Sequence, residues 1–166
     1  MSVIAGKVYD DKIIVAADSI IVRGWDLKRT GFSKLAYINE MIVGGSGTAA
    51  ELSLFFQYMH THRPASPTES DVLAFVVEFA SWKKDYNEDA VSNMYLLAFK
   101  GHLFSIEGTF VNEVKDFEAV GAGEDFALAA LYLGHTPEEA VKVSCDLSCY
   151  VAEPIMKFEM PREEAK

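Results

Sequence analysis

Three helix-start signatures divide this chain into alternating blocks, and that order limits its fold more than any other feature. Thr48 with Glu51, Ser66-Pro67-Thr68-Glu69 and Thr136-Pro137-Glu138-Glu139 each set a hydroxyl side chain ahead of a carboxylate and a helical run. The hydroxyl takes up an orphan backbone N–H of the first turn and the carboxylate reaches back to the cap. Proline fits the first helical position because its missing N–H has no partner there. The signatures predict helices through 52–59, from Pro67 to about Trp82, and onward from Thr136. The small-residue run Phe126-Ala127-Leu128-Ala129-Ala130 predicts one more.

Strands fill the intervals. Residues 3–8 and 12–18 are apolar runs on either side of the polar turn Tyr9-Asp10-Asp11, so they read as a hairpin; a further strand covers 19–25 and a third apolar run spans 34–38. Residues 93–99 and 102–106 flank Lys100-Gly101, a two-residue hairpin signal, and 109–114 offers another strand. Strands, helices, strands and helices in that order are accounted for by two sheets packed face to face between helix pairs, an α+β four-layer αββα sandwich. No linker or repeat divides the chain, so 1–166 reads as a single domain. Its end, from about 156 through Pro161-Arg162-Glu163-Glu164-Ala165-Lys166, reads as a solvated tail.

Composition narrows the function classes. With 166 residues, 50% hydrophobic and 24% charged, the chain can bury a substantial core. Its net charge of -10 and the lack of a basic stripe with interleaved aromatics argue against nucleic acid as the partner. No apolar run reaches the roughly 18 residues needed to span a membrane, and the start lacks the basic region of a signal peptide, so the expected location is the cytoplasm. Cys145 and Cys149 stand four apart on a predicted helix and read as reduced core thiols, because no second His or Cys pair completes a metal site. No metal or other cofactor is expected. His60, His62, His102 and His135 show neither ligand nor nucleophile-partner spacing, which disfavours Ser-His-Asp chemistry.

The residues that suggest chemistry lie at the start. Met1 is followed by Ser2 and then by the first strand. If Met1 is removed, Ser2 carries a free amine beside its hydroxyl, and that amine can act as the base that activates the hydroxyl. An α-amine has an ordinary pKa of about 7.7–8.0, which leaves it usable near neutral pH. Asp18 follows Ser2 by 16 residues and Lys34 follows Asp18 by 16 more, and the first hairpin can return Asp18 to Ser2. A lysine beside the amine and hydroxyl favours their deprotonated forms, and an aspartate can hold that lysine. The glycine turn Gly44-Gly45-Ser46-Gly47 leads into a helix N-terminus. Backbone N–H groups there can stabilise an oxyanion, or the glycines can simply permit a tight turn.

With these intervals, and with the segments Ile13-Ile14-Val15-Ala16-Ala17-Asp18, Gly44 to Glu51 and Ala119 to Ala130, the chain resembles the N-terminal-nucleophile hydrolases of the proteasome β-subunit type, the HslV-like peptidases most closely. The likeness runs from residue 2 to about 155. It implies the αββα sandwich and a peptidase that acts through Ser2, with Asp18 and Lys34 in support and Gly47 as oxyanion donor. It also implies substrate contacts from Ser19, Ile20, Ile21, Gly45 and Ala50. Implied partners are a polypeptide substrate, further copies of the chain in a homo-oligomeric ring, and an ATP-dependent unfoldase. The aromatic-rich helices carrying Phe55, Phe56, Tyr58, Phe75, Phe79 and Trp82 would serve either the core or that assembly surface.

The chain departs from the family at three points. Serine replaces the usual threonine nucleophile, and Gly121-Ala122-Gly123 stands where Gly-Ser-Gly is expected. Tyr150 and Ala152 fall where a supporting aspartate and serine are expected, with Asp146 the nearest acidic residue. Two alternatives stay open: a small-amide hydrolase of the same fold, and a non-catalytic ring or scaffold subunit that retains Met1.

Overall fold

The computed structural model describes residues 1–23, 26–29, 31–86 and 91–162. Strands β1 (Ile4–Val8), β2 (Lys12–Asp18), β3 (Ile20–Arg23), β4 (Asp26–Arg29), β5 (Leu35–Ile38) and β6 (Met41–Ser46) come first. Helices α1 (Ala49–Met59) and α2 (Glu69–Trp82) follow, then strands β7 (Met94–Phe99), β8 (His102–Glu107), β9 (Phe110–Val114) and β10 (Phe117–Val120). Helices α3 (Glu124–Tyr132) and α4 (Pro137–Leu147) and strand β11 (Ile155–Pro161) complete the order.

The strands form two antiparallel sheets, β10-β1-β2-β11 and β5-β6-β7-β8-β9, with β3-β4 as a separate hairpin. Three apolar interfaces separate four layers. Phe55, Phe75 and Phe79 of the first helix pair pack on Val43, Leu97 and Phe104 of the five-stranded sheet. Ile4, Val15 and Ala17 meet Ile42, Leu96 and Leu103 between the sheets. Val3, Ala5 and Ala16 meet Ala127, Ala130, Leu131 and Val141 of the second helix pair. The expected αββα sandwich is the observed one.

Local chemistry explains the ends of these elements. Lys100 and Gly101, at φ 46° and 77°, close the β7-β8 hairpin with Phe99 opposite His102. Thr136 and Glu139 form a complete capping box with Pro137 in the first turn of α4. At α2 the cap is Thr68, whose hydroxyl accepts from Asp71 N, so Pro67 precedes the helix and does not open it. At α1 Thr48 accepts from Glu51 N, but the Glu51 carboxylate turns into the protein interior.

Two further expectations need correction, on the tail and on Cys149, and the open choice for the aromatics is resolved. The tail expected from about 156 is β11, paired with β2 from Ile155 opposite Asp18 to Pro161 opposite Lys12. Residues 156–160 alternate, Met156, Phe158 and Met160 facing the inter-sheet core while Lys157 and Glu159 are exposed. That period of two is the strand signature the ending charges obscure; residues 163–166 and Trp25 lie outside the described residues. Phe55, Tyr58, Phe75 and Phe79 are buried against one another, with ring centroids 4.7 to 5.8 Å apart, and Phe56 and Trp82 pack on them, so these aromatics serve the core. Cys149 is exposed beyond the end of α4, and only Cys145 is partly covered. Among the described residues, no helix is long and apolar enough to cross a membrane.

Candidate active site

The hairpin β1-β2 brings position 18 back to position 3. Val3 N donates to Asp18 Oδ1 at 2.9 Å, Asp18 N donates to Val3 O at 3.2 Å, and Ile20 N reaches Asp18 Oδ2 at 3.4 Å. Lys34 comes from the other sheet, one residue before β5, where its carbonyl accepts from Gly45 N at 3.1 Å. Its ammonium crosses the gap to donate to both Asp18 oxygens, at 2.8 and 3.0 Å, and to the Met1 carbonyl at 3.1 Å. Ser2, Asp18 and Lys34 are 4%, 1% and 4% exposed. The two 16-residue intervals therefore converge at one buried point between the sheets.

Burial lowers the Lys34 pKa from its ordinary value, with the Asp18 carboxylate opposing the shift. The Met1 amine is lowered as well, first by burial and then by the positive charge of Lys34, again against Asp18. An amine in this neighbourhood is thus biased toward its neutral, basic form.

A cleft of ≈ 230 Å³ opens at this point. Ser2, Lys34, Ile20, Ile21, Gly45 and Gly47 line it, while Asp18 sits behind Lys34. Ser19 and Ala50, both expected on its wall, are not among its lining residues. Ser19 is buried with its hydroxyl unpartnered among the described residues, and Ala50 is exposed on α1. Phe32, Thr48, Ala49 and Leu52 take their place. Ala49 and Leu52 share one face of α1 because they are three residues apart, whereas Ala50 is turned about 100° away; periodicity groups the first two, and the packing of α1 puts their face on the cleft. Gly47 has φ 142°, and a Cβ there would lie 2.0 Å from Asn93 Oδ1, so glycine is required both by conformation and by space.

Ser2 is held from a third side. Gly123 N donates to Ser2 O at 3.2 Å, and at Gly121 (φ 105°) a Cβ would come within 2.4 Å of that same oxygen. Ser144, fully buried on α4, donates to Gly123 O at 2.9 Å and so braces this turn. Sequence reasoning missed Ser144, because a serine inside a helix carries no sign of its long-range partner. Asp146 does not support the site: it is exposed and pairs with Lys142 at 2.8 Å. Cys145, on the same helix, has its thiol pKa raised to about 11 by burial and then by the charges of Asp18 and Glu153. Among the described residues no group of three or more His, Cys, Asp or Glu side chains is placed to hold a metal ion.

The sequence matches no protein-family model and no curated protein significantly. The fold has clear relatives among solved structures. Thiobacillus denitrificans BPH in complex with epoxomicin superposes with a TM-score of 0.88 at 18% identity, over 97% of this chain and 99% of that one. A second Thiobacillus denitrificans BPH structure gives 0.86 at 17%, over 97% and 98%. Eukaryotic HslV from Trypanosoma brucei gives 0.74 at 17% identity, over 96% and 99%. The chain thus has the HslV-type, proteasome-subunit-like fold over nearly its whole length.

Proposed function

We propose that this chain is the peptidase subunit of a proteasome-like assembly and cleaves peptide bonds through Ser2 once Met1 is removed. The observation that carries the reading is the Lys34–Asp18 pair at the Met1–Ser2 junction, with Lys34 Nζ 3.1 Å from the Met1 carbonyl. Removing Met1 converts the Ser2 amide into an amine in the neighbourhood that lowers the Met1 amine pKa. That amine takes the proton of Ser2 Oγ while Oγ attacks the substrate carbonyl, and the Gly47 N–H stabilises the oxyanion. The C–N bond then breaks, the amine returns its proton to the leaving nitrogen, and water hydrolyses the Ser2 ester. Lys34 keeps the Ser2 amine neutral, and Asp18 holds Lys34 in place.

The cleft suits an extended polypeptide, with Ile20 and Ile21 of β3 along one wall where a substrate strand can pair. Assembly into a ring would keep folded proteins from this cleft. It draws support from Phe126, Leu133 and Leu147, exposed apolar residues around a hollow between α3 and α4. An ATP-dependent unfoldase that feeds the assembly is the partner the resemblance implies.

Intact mass of the protein from its native host, with a peptide-hydrolysis assay, tests the reading. The expected result is loss of Met1 and cleavage blocked by epoxomicin, the compound bound by Thiobacillus BPH. A second reading has an observation of its own, since Met1 lines the cleft and its carbonyl is engaged by Lys34. Quantitative retention of Met1 makes the chain a non-catalytic ring or scaffold subunit. Light scattering near the 18.4 kDa monomer at all concentrations, with activity on small amides and none on peptides, favours the small-amide hydrolase.

A further inference from the structure

Behind the glycine turn lies a polar network for which the Ser2 chemistry gives no reason. Asn93, 1% exposed, grips the backbone of Thr48 with both ends of its amide: Oδ1 accepts from Thr48 N at 2.7 Å and Nδ2 donates to Thr48 O at 2.9 Å. Asn93 is itself held, because its N–H donates to Glu51 Oε1 at 2.9 Å. Glu51 is fully buried and also accepts from Ser92 N and Oγ at 3.0 Å each, from the Tyr95 hydroxyl at 2.8 Å and from Lys83 Nζ at 2.8 Å. Lys83 is likewise fully buried. Burying both charges is expensive, and an apolar pair of the same volume often serves stability as well. A network kept at that cost is explained if it fixes a geometry.

The element it fixes is the turn that borders the cleft. Gly47 lines the cleft and immediately precedes Thr48, and Asn93 Oδ1 stands where a Cβ on Gly47 would have to be. Asn93 also occupies the Thr48 N–H, which removes that donor from competition with the neighbouring Gly47 N–H for a substrate oxygen. Displacing a donor by a fraction of an ångström weakens a charge-stabilising hydrogen bond, while binding of the rest of the substrate is untouched.

We propose that Asn93 is a positioning residue for the oxyanion donor: anchored by the buried Glu51–Lys83 pair, it clamps Thr48 and thereby sets the direction of the Gly47 N–H. This inference rests on the peptidase reading and adds to it a residue far from Ser2 in sequence.

The test uses the assembled, Met1-free protein and the variants Asn93→Ala and Asn93→Asp. Amide hydrogen exchange should show the Thr48 N–H protected in the wild type. In Asn93→Ala that protection should fall by at least roughly a hundredfold, with core-strand amides unchanged. With a peptide substrate, kcat should fall roughly ten- to hundredfold with KM within about twofold, less than the 10²–10³ for outright loss of an oxyanion donor. Val76→Ala, a cavity in the α2 core, supplies a destabilised comparison whose kcat per folded molecule should match the wild type. Should Asn93→Ala not fold, the isosteric Asn93→Asp keeps the acceptor for Thr48 N but sets oxygen against Thr48 O. Its kcat relative to wild type at each pH should rise as pH falls, when the protonated carboxyl can again donate. An unprotected Thr48 amide in the wild type, or wild-type kcat in an active Asn93 variant, overturns the inference alone. An inactive wild-type protein that has lost Met1 overturns the peptidase reading and this inference together.

Discussion

Among the described residues are two buried lysine–carboxylate pairs with the same 2.8 Å separation, Lys34–Asp18 and Lys83–Glu51, set in opposite surroundings. Glu51 is saturated by donors from Lys83, Ser92, Asn93 and Tyr95, and neither side chain of that pair has any exposure. Lys34 lines the cleft, and its ammonium also reaches the Met1 carbonyl. A pair sealed by further hydrogen bonds has no means of changing partners. A pair open to a cleft can influence what binds there. The contrast separates a structural anchor from a candidate catalytic group more clearly than distance does.

The largest expected effect comes from the open pair. Ser2→Ala and Lys34→Met should each lower peptide turnover by at least ~10³-fold, and the double variant should lose little more, because such groups act as a unit. Circular dichroism should show both still folded, and unaltered turnover in Ser2→Ala would remove the mechanism. Asp18→Asn should weaken turnover less, through a misplaced lysine.

The sealed pair should answer in stability. Lys83→Met leaves the Glu51 carboxylate buried without its cation and should cost about 3–5 kcal/mol in urea unfolding. A loss below ~1 kcal/mol would mean that the backbone and hydroxyl donors suffice by themselves, and would erase the difference between the two pairs.

Acidity sharpens the same contrast. Burial raises the Glu51 pKa, but the bonds from Lys83, Ser92, Asn93 and Tyr95 outweigh it and hold the group below its ordinary 4.5. In that window the unfolded chain binds more protons than the folded one. Glu51 therefore contributes stability that is complete above pH 4.5 and lost as pH falls through the folded value. Lys34 is also lowered, from 10.5, so between its folded pKa and 10.5 the unfolded chain again binds the extra proton and stability rises with pH. The stability difference between wild type and Glu51→Gln should vary with pH on the acid side only, shrinking as pH falls, and that between wild type and Lys34→Met on the alkaline side only, shifting in favour of wild type as pH rises. A divergence of either variant on the wrong side breaks the assignment.

The smallest expected effect concerns two helix starts of one motif. Thr136 and Glu139 satisfy each other at the surface, whereas Glu51, in the same position of α1, leaves its cap for the interior. Thr136→Ala should cost about 1 kcal/mol, the ordinary worth of a cap. Thermal unfolding that places Thr136→Ala beside Lys83→Met would contradict this ranking.

Local pattern carried much of this protein. Apolar runs on both sides of Tyr9-Asp10-Asp11, the Lys100-Gly101 turn and three hydroxyl caps act within a few residues of themselves, so hairpins, helices and the αββα order could be read directly. The return of Asp18 to the start of β1 was legible too, because it needs only a hairpin, whereas Lys34 was singled out by the interval it shares with the family it resembles and reaches Asp18 only through the packing of the two sheets. Tertiary structure decided whatever depends on a distant partner. It paired 155–161 with β2, turned Glu51 inward toward Lys83 and Asn93, used Ser144 to brace Gly123, and put Ala49 rather than Ala50 on the cleft. The physical reason is common to all four: propensity and capping act between near neighbours, while the burial of a charge or the covering of an edge is settled only by what the rest of the chain packs against it.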